Sequence, residues 1–273
     1  MARSRSGTAW QLAWLLPVAL IWLFPYAWMV LTSLKTLPEI VQAPHAWLPR
    51  SWNGQAYERA LASMPIARYL LNTAAMAIGI AVLQLLLAIP AGYALAKLRF
   101  RGRSLCLVLI LATLLLPAQL RFVPTFMLFA KLGLSNTLAS LILPFGVSAL
   151  GTFLVRQALL SVPDAVIEAA RIDGSSELRI VYGLLPPLIV PTLVAVFLFS
   201  FVYHWNDYFW PLVMTTDDRA RTLPVGVALL REQGTGVRWH IVMAGNVILS
   251  APVLALFAVA QRHLLRAVLG SSS

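Results

Sequence analysis

Charge is what this chain has least of. Only 11% of its 273 residues are Asp, Glu, Lys or Arg, where soluble domains carry about a quarter. A surface so poor in charge is not built to meet water, and single-domain length with 60% hydrophobic residues reads as an integral membrane protein. Cysteine is almost missing too. Cys106 stands alone, which excludes an internal disulfide and a cysteine-pair metal site. Lysine is scarce, and Lys35, Lys97 and Lys131 follow Leu34, Ala96 and Ala130. A phosphate-binding P-loop needs glycine directly before its lysine, so this chain has no such site and any nucleotide hydrolysis would have to come from another polypeptide. The four histidines, His45, His204, His240 and His263, lack the i, i+4 spacing of a metal pair, and no serine stands in a G-x-S-x-G setting. Neither a metal site, a catalytic residue nor a cofactor is expected. His204 with Asp207 is the one close pair, read as a cap of its helix among Trp205, Tyr208, Phe209 and Trp210. Basic residues outnumber acidic ones by 21 to ten. They are spread along loops between apolar runs, which suits anionic lipid headgroups rather than nucleic acid.

What is present in quantity is long uncharged sequence. Charge-free windows run from Arg5 to Lys35, Arg68 to Lys97, Arg103 to Arg121, Lys131 to Arg156, Arg179 to Asp207 and Arg238 to Arg262. About 20 apolar residues cross about 30 Å of hydrocarbon. The pattern therefore predicts one all-α transmembrane domain over 1–273, with six spans at about 10–34, 69–96, 104–121, 132–155, 180–204 and 239–261. The third is at the short limit. Phe122–Ala130 and Tyr208–Thr216 are too short to cross and are expected at an interface. The first window is too long for a cleaved signal and lacks an A-x-A-like site. A tally of basic residues on the two sides decides nothing, but "KLRFRGR" at 97–103 packs four positive charges against two helix ends. That density marks the cytoplasmic side, and parity then puts both termini and the segment around residue 168 there as well.

That segment, "EAARIDGSSELR" (168–179), is strongly polar for its surroundings. Ser161 is a candidate N-cap, Pro163 suits a first turn, Asp164 and Glu168 place negative charge near a helix start, and Gly174 suits a stop. A helix over about 162–173 follows. Val162, Val166, Ala169, Ala170 and Asp173 would share one face, with Asp164, Glu168 and Arg171 on another. It is either an amphipathic interfacial link between two spans or a docking lever for a cytoplasmic partner. Pro186, Pro187 and Pro191 interrupt the span after it.

"EAARIDG" followed by a leucine-proline element resembles the EAA loop in membrane subunits of binding-protein-dependent ABC importers. The matching positions are Glu168, Ala169, Ala170, Gly174, Leu184, Pro186 and Pro187. Leu184 replaces the usual isoleucine, and Pro186 stands where leucine is usual; both departures lie beyond the loop helix. "AGYALAKLRFRGR" (91–103), "PDAVIEAARIDGSS" (163–176), "WNDYFWPL" (205–212) and "TLPVGVALL" (222–230) are similar to the carbohydrate-uptake branch, in its maltose-type second permease subunit. The resemblance implies a permease in a bacterial inner membrane. Its partners would be a homologous permease in a heterodimer, two ATP-binding subunits and an extracytoplasmic solute-binding protein. It also implies that 162–173 is a coupling helix seated in a cleft of the ATPase. Glu168 would orient that helix, Ala169 and Ala170 let it seat, Gly174 turn the chain, and Arg171 and Asp173 complete the set.

An ion-coupled secondary transporter is the competing class. Such carriers commonly hold a carboxylate or histidine within the membrane, and here Asp207, at the end of the fifth window, comes nearest. Sodium sites made of carbonyls and hydroxyls keep that class open. For a substrate path the candidates are Asn72 and Gln84 in the second span and Asn246 and Ser250 in the sixth, whose amides and hydroxyl suit a sugar. Intramembrane amides also hold neighbouring helices together, with no substrate involved. The outer segments, Leu37–Arg68 and Asp217–Arg238, either receive a binding protein or lie on the headgroups.

Overall fold

The computed structural model describes residues 5–231 and 238–270, with side chains described over 14–117, 120–231 and 238–258. Glu232 and the side chains of Arg3, Arg5, Arg262, His263 and Arg266 lie outside the described residues. Among the described residues all regular structure is helical. In chain order the elements are α1 (Arg5–Ser33), α2 (Leu37–Gln42), α3 (Gln55–Ser63), α4 (Ile66–Lys97), α5 (Arg103–Ala112), α6 (Ala118–Lys131), α7 (Leu138–Ile142) and α8 (Ala149–Leu160). There follow α9 (Asp164–Ile172), α10 (Glu177–Arg179), α11 (Leu185–Leu188), α12 (Val190–Trp205), α13 (Phe209–Met214), α14 (Leu223–Leu229) and α15 (Trp239–Gly270). The chain divides into two compact units, Met1–Ile66 with Pro224–Pro252, and Ala67–Leu223 with Val253–Ser273.

In the first unit the loop after α1 is tied back to the end of that helix. Lys35 is buried, donates its ammonium to the Ala46 carbonyl and lies 4.9 Å over the Trp28 ring. The Arg50 N–H donates to Glu39, Ser33 and Tyr57 share a 2.7 Å hydrogen bond, and Trp47 packs on Phe24 with ring centroids 5.2 Å apart. Both buried charges are thus hydrogen-bonded or stacked, as burial demands. Leu15, Leu20, Ile21, Trp22 and Leu23 of α1 stay exposed. An apolar face of that extent suits lipid or another protein rather than water.

The second unit is built on α4, whose 32 residues make a rod of about 48 Å. Its apolar residues split into two faces. Leu71, Ile78, Val82 and Leu86 are exposed, while Met76, Ala77, Ile80 and Ala81 are buried. Met76 and Ile80 pack with Phe129, Leu141, Trp210 and Met214. Nearer its C-terminus, Ala88, Ile89, Tyr93 and Ala96 pack with Val155, Leu159, Val162 and Ile167. Gly92 permits this second contact. A Cβ there would lie 2.7 Å from Val155 Cγ1 and 3.0 Å from the Arg156 backbone nitrogen, so no other residue fits the approach of α4 to α8.

Among the described residues, three helices are long and apolar enough to cross a membrane: Trp14–Ser33, Ile66–Lys97 and Trp239–Ala258. The windows predicted as the third, fourth and fifth spans are each broken. Arg103–Leu115 and Leu120–Lys131 meet at 96°, Leu138–Phe145 and Ala149–Leu160 at 49°, and Glu177–Leu188 and Val190–Trp205 at 89°. The breaks follow proline. Leu116, before Pro117, is extended (φ −81°, ψ 119°), Pro144 sits in a 3-10 turn, and Pro191 starts α12 after Ile189 leaves the helical region (φ −122°, ψ 21°). Proline removes a ladder donor and disfavours helix in the residue before it. Phe122–Ala130, expected as an interfacial piece, is the body of α6. A π-helical turn, Ile180–Leu184, leads into α11.

Candidate functional site

α9 is short, nine residues, and its ends are set by local chemistry. Pro163 precedes it in an extended conformation (φ −61°, ψ 137°) and Asp164 occupies its first turn. Ser161 is not its N-cap. The Ser161 hydroxyl donates to the Ala158 carbonyl at 2.7 Å and belongs to the end of α8, because the helix starts beyond its reach. At the other end Gly174 has φ 78°. The Ser175 N–H donates to the Ala170 carbonyl at 2.9 Å and the Gly174 N–H to the Arg171 carbonyl at 3.0 Å. Those two bonds are the Schellman stop, which needs a left-handed residue at this position.

The faces of α9 differ from the sequence expectation. Ile167 is buried and Ala170 packs beside it, while Ala165, Glu168, Ala169 and Ile172 are exposed. Ala169 and Ala170 were expected on one face, and the helix separates them: Ala170 lies beside Ile167 and Ala169 faces out. With the helix starting at Asp164, Val162 falls outside its register, and the larger Ile167 takes the inward position. Ile172 is 85% exposed and Leu178, just past the turn, 72%. The outward stripe, at i, i+3, i+4 and i+7 spacing, is therefore small and apolar with a single carboxylate, Glu168.

α9 is held to α4 through Tyr93, Lys97 and Glu177, which sequence reasoning did not connect to it. Lys97 Nζ donates to Asp164 Oδ1 at 2.6 Å and to the Val162 carbonyl at 2.5 Å. The Lys97 side chain is 9% exposed and that of Asp164 74%, so the stem is buried and only the ammonium reaches the rim. One turn earlier on α4, the Tyr93 hydroxyl donates to Glu177 Oε2 at 2.7 Å. Arg171 Nε donates to Glu177 Oε1 at 2.7 Å, and Arg171 Nη2 to the Tyr93 oxygen at 2.8 Å. Arg171 thus folds back toward α4. Among the described residues, α9 is oriented by Asp164 and Arg171 and not by Glu168, whose side chain points away. The Lys97 ammonium beside Asp164 holds its carboxyl below the usual carboxylate range. Hydrogen bonds from Arg171 and Tyr93 do the same for Glu177. Arg156 Nε donates to the Leu95 carbonyl at 3.1 Å and Arg103 Nη2 to that of Ala96 at 3.0 Å, closing the orphan acceptors at the end of α4. The i, i+4 spacing of Tyr93 and Lys97 was legible, but the run 97–103 had been read only as a topology signal.

Each candidate substrate-path residue has a backbone partner within its own unit. Asn72 donates to the carbonyls of Arg219 and Arg221 at 3.0 and 2.9 Å, and Gln84 to that of Phe145 at 2.8 Å. Asn246 donates to the Val242 carbonyl at 3.0 Å and Ser250 to that of Asn246 at 2.9 Å, both within α15. Asp207, rather than His204, is the cap of its region: its carboxylate accepts the Trp210 N–H at 3.4 Å, at the start of α13. His204 is buried against Phe145 and Tyr203. No group of three or more His, Cys, Asp or Glu is placed to hold a metal among the described residues.

Bent and straight apolar helices, with a small polar helix clamped to one of them, mark an all-α polytopic membrane protein. Residues 84–270 match the family described as the binding-protein-dependent transport system inner membrane component, and the chain belongs to that family. It is 34% identical over 257 residues to the sn-glycerol-3-phosphate transport system permease protein UgpE of Pectobacterium atrosepticum, covering 91% of each chain. It is 33% identical over 235 residues to the protein of that name from Yersinia pestis, covering 85% of this chain and 83% of the relative. A solved bacterial ABC transporter, described as involved in import of the acidic polysaccharide alginate, aligns with a TM-score of 0.81 and 26% identity, over 96% of this chain and 99% of that one. The protein is thus an inner-membrane permease subunit of an ABC importer, not an enzyme. As such it works with a partner permease, an ATPase and a binding protein.

Proposed function

We propose that this permease forms half of the pathway for a sugar phosphate or related small carbohydrate, with α9 as the helix on which the ATPase acts. The reading rests on one observation above all: α9 turns a slim stripe of Ala165, Glu168, Ala169 and Ile172 outward while its other side is anchored to α4. Two alanines let another surface approach closely, and exposed Ile172 supplies an apolar contact. Each of the three bent helix pairs counts as one crossing, which makes six, with the termini, 97–103 and α9 on the cytoplasmic side, a placement that follows from the four basic residues packed at 97–103. The permease pairs with a homologous subunit, and two ATP-binding subunits drive them. ATP binding closes the ATPase, α9 moves with it, and the helices rock between outward- and inward-facing states. The substrate class follows the relatives, named for sn-glycerol-3-phosphate, and the solved importer, described for an acidic polysaccharide.

Uptake measured in proteoliposomes carrying the whole importer tests the mechanism. Transport that persists with ion gradients collapsed and ATP supplied is expected; transport that needs a gradient and ignores ATP defeats the reading. A thermal-shift screen of the cognate binding protein against sugar phosphates, neutral disaccharides and sugar alcohols tests the substrate class.

A further inference from the structure

α9 is joined covalently to α8 on one side and to α10 on the other, so those neighbours are the obvious receivers of any push it takes. The hydrogen bonds point elsewhere. Tyr93 and Lys97 lie one turn apart on the same side of α4 and reach opposite ends of α9. Lys97 holds Asp164, its first residue, and Tyr93 holds Arg171, its last but one. A rod fixed at one point can swivel about it; a rod fixed at two points about 10 Å apart cannot. Glu177 closes the second attachment by binding both Tyr93 and Arg171. α4 is in turn locked to α8 through the Gly92 contact and the Arg156 bond to Leu95. All these groups lie within one compact unit.

We propose that α9, α8 and the C-terminal part of α4 move as a single rigid block, and that Tyr93, Lys97 and Glu177 are positioning residues that prevent α9 from pivoting. A push on α9 is then delivered to α4, a helix 67 or more residues earlier in the chain, rather than absorbed in the loop. This rests on the reading of α9 as the ATPase contact. The contact is checked separately, by asking whether cysteine at Ala169 crosslinks to the ATPase.

The experiment uses the assembled importer with Cys106→Ser as background and spin labels at Leu98 and Ala169. The expected result is one narrow distance that stays the same with and without trapped ATP. Tyr93→Phe with Lys97→Met should broaden that distance and lower uptake per ATP hydrolysed about fivefold or more, the low end of coupling effects, with the Ala169 crosslink intact. Lys97→Arg should restore most of the ratio. Tyr93→Phe alone, which removes one oxygen and keeps the ring, serves if the double variant does not assemble, and should give a smaller loss in the same direction. A change of more than about 2 Å in the unmutated importer on ATP binding, the size of a helix slide, overturns the block. So does an unchanged uptake ratio in either variant. If the crosslink fails while the distance stays fixed, the ATPase contact is what has failed, and the block no longer has a push to carry.

Discussion

The two ends of α4 carry similar groups put to different use. Each has a tyrosine, a carboxylate and an arginine. At the N-terminal end the Tyr69 hydroxyl donates to Asp218, and Arg221 pairs with Asp218 at 3.1 Å. Around that trio the ties run to backbone: the Asn72 amide to two carbonyls, and the Leu223 N–H to the buried Thr73 hydroxyl at 2.8 Å. At the C-terminal end α9 is gripped by ties between side chains, in which Arg171, Glu177 and Asp164 are about half exposed or more. A bond from a buried side chain to backbone fixes a loop, since breaking it strands a buried polar group. An exposed charged pair costs little to break and is screened by salt. The first end is fixed largely through backbone, while the second adds side-chain ties that hold α9 in place and respond to salt and acid.

Substitutions can break that contrast, and the largest effect is expected at Gly174. Gly174→Val puts a β-branched residue at φ 78° where a Cβ meets no atom within 4 Å. The whole penalty is backbone conformation, about 1–3 kcal/mol, and it falls on the stop of α9. Membrane insertion should be normal while uptake per ATP drops by tenfold or more; transport at the unmutated rate would show that the turn is dispensable. Next comes the static end. Thr73→Val leaves the Leu223 N–H without its acceptor, a loss of about 1–3 kcal/mol, and should lower the thermal midpoint in detergent without changing uptake per ATP.

Acid should separate the two ends further. Asp164 and Glu177 titrate lower in the folded chain than unfolded, so their contribution is complete above the ordinary carboxylate range, about 4. It fades as pH falls through the lowered folded values. A spin label on α9 should keep its mobility from pH 7 to 5 and loosen below about 4. High salt should loosen it at neutral pH, whereas a label beside Thr73 should ignore both. The smallest change is expected from Glu168→Gln. Glu168 has no partner within the described chain, so the melting temperature should move by less than about 0.5 kcal/mol equivalent. The affinity of the isolated ATPase for the permease is the sensitive measurement.

Much of this was legible before any coordinates. Long uncharged runs located the helical segments, because a peptide in hydrocarbon must satisfy its own backbone bonds. Gly174 was legible as a stop, since one residue's conformational freedom is a local property. The grouping of Ala169 with Ala170 on one face of α9 did not hold, because the helix starts two residues later than the pattern implied and its rotation is set by what Ile167 packs against. Predicted spans 104–121 and 132–155 were read without a break, and 180–204 with an interruption at Pro186, Pro187 and Pro191. Their prolines were visible, but the angle at each break depends on the neighbours that take up the freed groups.

The amino-acid order alone therefore determined the membrane character, the lack of a glycine-lysine P-loop and the stop at Gly174, each a matter of composition or of spacing within a dozen residues. Tertiary structure alone decided that Tyr93 and Lys97 grip α9, that Arg171 turns inward and that Glu168 faces out. Those facts join residues 67 or more positions apart, and only packing brings such groups within hydrogen-bonding reach.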